Sequence, residues 1–263
     1  MDDKGRESGH LMLITPDRVL YAGLVGRPRE RCQGAFNVYV ALQGGLWLTT
    51  SDGEHYGELL VVPPNTRHTI ASDHRSAIAV LIEPESLRPG ALDDLAKRLT
   101  GPEQDVFISK IRSAYDMLRN RRSGEDITSA RLDAMCFGEA LPRRDLDPRV
   151  TRAIAQIGKF SGEPVTAASC AAEAGLSCSR FLHLFKEETG IAFRSFRAWK
   201  RARHLLHFAN QDINLAHLAQ DIGYPDSTHF SHSIRRFYGL KPRAIFSGSR
   251  DLAIYRSGDT TLS

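Results

Sequence analysis

The feature that most restricts this chain is a segment that occurs twice. Thr166-Ala167-Ala168-Ser169-Cys170-Ala171-Ala172-Glu173-Ala174-Gly175-Leu176 aligns with Asn214-Leu215-Ala216-His217-Leu218-Ala219-Gln220-Asp221-Ile222-Gly223-Tyr224 at an offset of 48. After one inserted residue, Phe181 to Lys186 aligns with Phe230 to Arg235 at an offset of 49. Each copy opens on a side-chain oxygen able to cap a helix, Thr166 or Asn214. Small residues follow (Ala171 and Ala172, Ala216 and Ala219), which let a second helix approach closely. Gly175 and Gly223 stand where the chain leaves that helix and a positive φ is wanted. Leu176 or Tyr224 plugs the turn, and Ser177 or Asp226 caps the next helix.

The pattern predicts two helix-turn-helix units. The second helix of each buries an i, i+4 pair, Phe181 with Phe185 and Phe230 with Ile234. Its free face carries Ser179, Leu182, His183 and Lys186 in the first copy, and Thr228, Ser231, His232 and Arg235 in the second. Small polar, histidine and basic side chains on a free helix face suit a DNA major groove. Between the copies, Phe193 to Phe208 reads as one long helix, with Phe196, Trp199, Leu205 and Leu206 on its buried side. Arg194, Arg197, Lys200, Arg201 and Arg203 crowd the rest, and Arg201 is the candidate phosphate contact among them.

Charge agrees with a polyanionic partner. From Pro148 to Arg250 there are fifteen Lys and Arg against seven Asp and Glu, a net of +8. The whole chain is +4, which leaves −4 for the remainder, so a mildly acidic part is joined to a basic module. An apolar fraction of 41% with 25% charged residues belongs to a folded protein. No apolar run approaches the roughly 18 residues of a membrane span, and the acidic start, Met1 to Glu7, predicts no signal peptide. The expected location is the cytoplasm, with no membrane partner.

The first half reads differently. β-rich runs at Arg18–Val25, Phe36–Gln43, Leu46–Thr50, Glu58–Val62, Arg67–Ala71 and Ala77–Ile82 are separated by Gly44-Gly45, Ser51-Asp52-Gly53 and Pro63-Pro64-Asn65. Such spacing predicts a small barrel or sandwich. From Pro84 the period turns helical: Leu92, Leu95 and Leu99 form one stripe. Val106, Ile108, Ile111, Tyr115 and Leu118 form another, and Ile127, Leu132, Met135 and Cys136 a third, with breaks at Gly101-Pro102 and Ser123-Gly124. These helices, about 91–140, are the expected homodimer contact. Residues 141–148, proline-bounded and polar, read as a linker, and the tail 251–263 has no strong pattern. The reading divides the chain into 1–140, a linker, 149–250 and a tail.

The stretch from Asp147-Pro148-Arg149 to Ile245 resembles the DNA-binding domain of the AraC/XylS family of bacterial transcription regulators. Both halves carry the likeness, through Ala171 to Ser177 with Phe181 to Gly190, and Leu218 to Tyr224 with His229 to Pro242. The resemblance implies a bipartite helix-turn-helix domain controlling transcription, with double-stranded DNA and RNA polymerase as partners and activation as the expected sign. The family's base-reading positions fall on Ser179, Leu182 and His183, then on Ser227, Thr228, Ser231 and His232. Lys186, Arg235, Thr166 and Arg201 complete the candidate DNA-binding set. Where the family usually has Arg, this chain has His183 and His232, so the arginine fork to guanine is missing and base preference does not transfer.

The family usually places a regulatory domain first. Gly57-x5-Pro63-x-Asn65-x2-His68 resembles the second cupin motif, with Asn65 in place of glycine. The paired histidines and glutamate of the first motif are missing. The expected fold is therefore a two-domain α+β protein. A small cupin-like β-barrel with a helical dimerisation segment precedes an all-α bipartite helix-turn-helix domain. A small-molecule effector would sit in the barrel, with Phe36, Tyr39, Trp47, Tyr56 and His68 as candidate contacts. No metal, cofactor or catalytic residue is expected: His68 lacks companions at ligand spacing, and Cys32, Cys136, Cys170 and Cys178 form no paired motif. Two alternatives remain, a cupin-type metal enzyme with a basic helical appendage and a DNA binder without an effector.

Overall fold

The structure is a computed structural model that describes residues 9–120, 126–159, 165–248 and 251–257; the expected Ser123-Gly124 break lies outside them. Nine strands are described: β1 Leu11–Ile14, β2 Arg18–Leu24, β3 Phe36–Ala41, β4 Leu46–Thr50, β5 Gly53–Gly57, β6 Leu59–Val62, β7 Thr69–Ser72, β8 Ser76–Ile82 and β9 Ala253–Arg256. Six of them form one sheet in the order β6-β3-β8-β2-β1-β9, and three form a second in the order β5-β4-β7. The helices are α1 Ala91–Leu99, α2 Gln104–Arg119, α3 Ser129–Phe137, α4 Pro148–Gly158, α5 Ala167–Glu173, α6 Cys178–Thr189, α7 Phe193–His204, α8 Leu215–Asp221, α9 Ser227–Tyr238 and α10 Pro242–Gly248.

The six-stranded sheet is the middle layer. Its strand β3 is buried at every position, the signature of a strand covered on both faces. Phe36, Val38 and Val40 face one way, with Leu13, Leu20 and Ile78, onto Leu95, Leu99, Phe107 and Ile111 of α1 and α2. Tyr39 and Ala41 face the other way, onto Leu46, Leu48 and Ile70 of the small sheet and onto Trp199, Leu205 and Leu206 from the basic half. Arg18, fully buried, fastens β2 to α3: its Nε and Nη2 donate to the two carboxylate oxygens of Asp133 at 2.8 and 3.0 Å.

Among the described residues no sheet closes into a barrel, so the expected cupin-like barrel is replaced by a three-layer arrangement. The physical reason is the content of the second face, which the small sheet shares with helices of the C-terminal half. Asn65, which stands at the glycine position of the motif, has φ 61°, a left-handed conformation that Asn tolerates better than most residues.

Three further expectations need correction. The linker 141–148 is not a free tether: Leu141 is buried in the helix-facing core, and the Arg88 amide donates to the Pro142 carbonyl at 2.9 Å. The tail is not patternless, because Ala253–Arg256 runs parallel to Leu11–Ile14 at the sheet edge. The helix from Phe193 does not run uniformly to Phe208; it tightens into a 3-10 turn at Leu205–Phe208.

The helices expected to dimerise spend most of their apolar stripe on their own sheet. Val106, placed on that stripe, is instead exposed, as is Met117, while Ile108, Ile111, Tyr115 and Leu118 are buried.

Three histidines are held neutral by burial. His68 is pushed down to about 4, His204 to about 3 and His207 to about 4, from an ordinary 6.5, in each case mainly by loss of solvation. Each folded-state value lies below the unfolded one. The unfolded chain therefore binds protons first, and the stability present above about 6.5 declines as pH falls toward 4. A thermal melt series should show Tm falling by several degrees, on that order, from about pH 7 to about pH 5. A flat profile over that interval would mean the three rings are solvated.

Candidate nucleic-acid interface

The two repeats match bond by bond. Thr166 Oγ1 accepts from the Ser169 amide at 3.0 Å, and Ser169 Oγ accepts from the Thr166 amide at 3.1 Å, a reciprocal cap on α5. Asn214 Oδ1 does the same service for α8, accepting from the Ala216 amide at 2.9 Å and the His217 amide at 3.3 Å. Gly175 and Gly223 turn the chain at φ 64° and 78°. The next amides then close equivalent bonds, Leu176 to the Ala171 carbonyl at 2.9 Å and Tyr224 to the Ala219 carbonyl at 2.8 Å. Ser177 caps α6 and Asp226 caps α9. Asp226 accepts from the amides of Thr228 and His229, both at 2.8 Å, and the hydrogen bond from the His229 amide is the main reason its carboxyl is held below the usual range.

The cores of the two units differ in ownership. The first has its own: Phe181, Phe185, Phe193 and Phe196, with edge-to-face contacts among their rings, cluster with Val150, Ala153 and Cys170. The second does not; Leu218, Tyr224, Phe230, Ile234 and Phe237 belong to the same cluster as Met12, Tyr39 and Leu81 of the central sheet.

The expected recognition faces point outward. Ser179, Leu182, His183 and Lys186 on α6 are exposed, as are Ser227, Thr228, His232 and Arg235 on α9, with Ser231 half-buried. Leu182, 39% exposed, offers an apolar contact of the kind that reads a thymine methyl. Thr166 is exposed at its cap. Arg201 is half-buried, its guanidinium 5.9 Å from the centre of the Tyr224 ring.

Two of the other cations on α7 are not on a free face. Lys200 Nζ lies 2.6 Å from Glu83 and 2.6 Å from Glu85, and Arg203 Nε lies 3.0 Å from Glu83. The Trp199 indole donates to Glu83 at 3.0 Å. Burial alone would raise the Glu83 carboxyl, but the charges of Lys200 and Arg203 hold it below the usual carboxylate range. A clasp across the two halves thus takes up two of the cations that crowd this helix. Gly34 lies under it: a Cβ there would fall 2.6 Å from Trp199 Cγ.

The expected effector contacts do not converge. Tyr39 lines a cavity of about 890 Å³ between the central sheet and the second unit. Phe36 faces the opposite side of the same strand, since positions 36 and 39 differ by an odd number. Trp47 and Tyr56 are cross-strand partners on the outer surface, 43% and 56% exposed. Their rings lie 4.6 Å apart and both donate to Asp73. His68 is buried behind Tyr39; its Nε2 meets the Tyr39 hydroxyl at 2.9 Å and its Nδ1 meets the Thr66 carbonyl at 3.0 Å. Both ring nitrogens are therefore engaged. Among the described residues no three His, Cys, Asp or Glu side chains gather as a metal site would require.

Arg27, Arg29, Arg31 and Lys241 also line that cavity, and the sequence reading missed them. The available signal was three arginines at alternate positions in a short loop.

Tandem helix-turn-helix units with outward polar helices define a bipartite DNA-binding module. A helix-turn-helix domain family model matches residues 170–247. The transcriptional activator RhaS of Escherichia fergusonii is 28% identical over 160 residues, which is 56% of this chain and 56% of that protein, so the match spans little more than half of RhaS. The transcriptional regulator AlkR of Acinetobacter baylyi is 21% identical over 80% of this chain and 87% of its own length. Apo ToxT of Vibrio cholerae shares the fold, with a TM-score of 0.55 at 12% identity, covering 88% of this chain and 97% of that one. The chain thus carries a helix-turn-helix domain and is similar to the transcriptional regulators RhaS and AlkR.

Proposed function

We propose that this protein binds double-stranded DNA at defined sites and regulates transcription from them. The observation that carries the reading is the matched pair of capped units, each presenting an uncovered helix face, Ser179-Leu182-His183-Lys186 and Ser227-Thr228-Ser231-His232-Arg235. Base edges are read from these faces, while Thr166 and Arg201 serve as backbone contacts. RhaS, named as an activator, favours activation and therefore contact with RNA polymerase. The protein acts in the cytoplasm as a homodimer. No helix among the described residues is long and apolar enough to cross a membrane. Effector control is part of the reading, with the site moved from the interior of a barrel to the cavity that Tyr39 lines.

The test is footprinting on the DNA upstream of the protein's own gene, followed by binding to specific and random duplexes over a salt series. His232→Ala should weaken specific binding by about 1–3 kcal/mol and leave non-specific binding nearly intact. Equal losses on both duplexes would remove His232 from base reading.

A further inference from the structure

One loop of the N-terminal half breaks with the charge of its surroundings. The chain outside Pro148–Arg250 sums to −4, yet Gly26-Arg27-Pro28-Arg29-Glu30-Arg31, between β2 and β3, sets three arginines against one glutamate. That glutamate is neutralised within its own half, since Glu30 Oε1 lies 2.6 Å from Arg67 Nη1. Arg27 and Arg29 are exposed, and among the described residues no carboxylate pairs with either. Pro28 between them fixes one backbone torsion, which makes the loop stiffer than a free arm.

The loop is fastened to the end of the second recognition helix. The Cys32 amide donates to the Arg236 carbonyl at 2.8 Å. Gly239 ends α9 at φ 69° and lies against the loop backbone: a Cβ there would fall 3.0 Å from the Arg29 carbonyl oxygen and 3.1 Å from Arg29 Cβ. A Cβ on Gly26 would likewise fall 4.0 Å from the Leu240 side chain. Arg27 and Arg29 therefore stand beside Arg235 and Arg236 of the last turn of α9 and Lys241 just beyond, all three exposed. Residues 235–243 contain no Asp or Glu.

A bare helix C-terminus repels phosphate, because the aligned peptide dipoles leave about half a negative charge there. The five exposed cations reverse that sign at the end of α9. In helix-turn-helix docking the first turns of the recognition helix meet base edges. With twelve residues α9 is about 18 Å long, more than the roughly 12 Å width of a major groove, so its last turn comes out at a phosphate wall. We propose that Arg27 and Arg29 contact DNA phosphates beside the second helix-turn-helix unit, so that the N-terminal half supplies part of the DNA interface. This rests on the DNA-binding reading above and extends the interface beyond the helical half.

Binding of the full chain to specific and random duplexes over a salt series tests it, with Arg27→Gln/Arg29→Gln and Arg27→Lys/Arg29→Lys as variants. The glutamine pair should weaken binding roughly fivefold or more on both duplexes alike, because a phosphate contact carries no sequence information. Its plot of log K against log salt should be shallower by about 1.8, at about 0.9 for each phosphate no longer neutralised. The lysine pair keeps both charges and should keep the slope. Ethylation interference on wild type should mark phosphates on the flank beyond the second half-site, and the glutamine pair should lose those marks. An unmoved slope, a loss confined to the specific duplex, or a wild-type pattern without that flank would each overturn the proposal. So would intact DNA binding with lost transcription, which would assign the two arginines to a protein partner. The wild-type interference pattern stands even if the glutamine pair fails to fold. If wild type binds no duplex at any salt, the DNA reading falls and this proposal with it; if wild type binds and the slope does not move, this proposal alone falls.

Discussion

Glu83→Ala is expected to cost the folded protein about 3–5 kcal/mol, because it strips the carboxylate from beneath two buried cations. Glu83 is 1% exposed and takes Trp199 Nε1, Lys200 Nζ and Arg203 Nε on its two oxygens. Lys200 keeps Glu85 as a partner, but among the described residues Arg203 is left with backbone carbonyls, those of Thr15 at 2.6 Å and Arg18 at 3.0 Å. Urea unfolding measures the loss. Limited proteolysis should report a second consequence, cleavage around α7 as the basic half loosens from the sheet. Glu83→Gln keeps acceptor shape without charge, so its smaller loss would isolate the electrostatic share. An Ala variant as stable as wild type would show that the clasp is ornamental.

The second large effect is local. Phe185→Ala is expected to lose about 3–5 kcal/mol from the first helix-turn-helix unit. Phe185 is fully buried and meets Phe193 at 5.1 Å and Phe196 at 5.2 Å, edge to face. Its core is separate from that of the sheet. Hydrogen exchange should therefore accelerate in α4, α5 and α6 and remain slow in β3 and β8. The footprint should shrink to the part held by the second unit. Uniform acceleration across both halves would mean that the two cores melt together.

How much of this was legible in the sequence depended on range. The repeat could be read because its determinants are local: caps, turn glycines and i, i+4 pairs all act within a dozen residues, and Thr166, Gly175, Asn214 and Gly223 do as expected. The effector set failed on parity. Period two places Phe36 and Tyr39 on opposite faces of β3, and it sets Trp47 outward once Leu46 and Leu48 point inward. Strand β5, Gly-Glu-His-Tyr-Gly, was unreadable because every residue but the last is exposed and no apolar alternation survives. The clasp joins Glu83 to Lys200 across the whole interval between them, and nothing near either residue announces the other. The same holds for Ala253–Arg256, whose strand exists only against Leu11–Ile14.

That late strand changes what counts as a module here. The second helix-turn-helix unit is stitched to the central sheet upstream by α7 and downstream by Ala253–Arg256, and Asn210 adds a bond to the Leu252 carbonyl at 3.1 Å. A chimaera that exchanges reading heads between relatives at residue 250 would carry away the recognition helix and leave its outer seam behind. Cutting the chain at that point, by contrast, would bare the edge of Leu11–Ile14 to pairing with any stray strand. The natural splice for recombination includes those four residues, and by that measure the sheet owns part of the DNA reader.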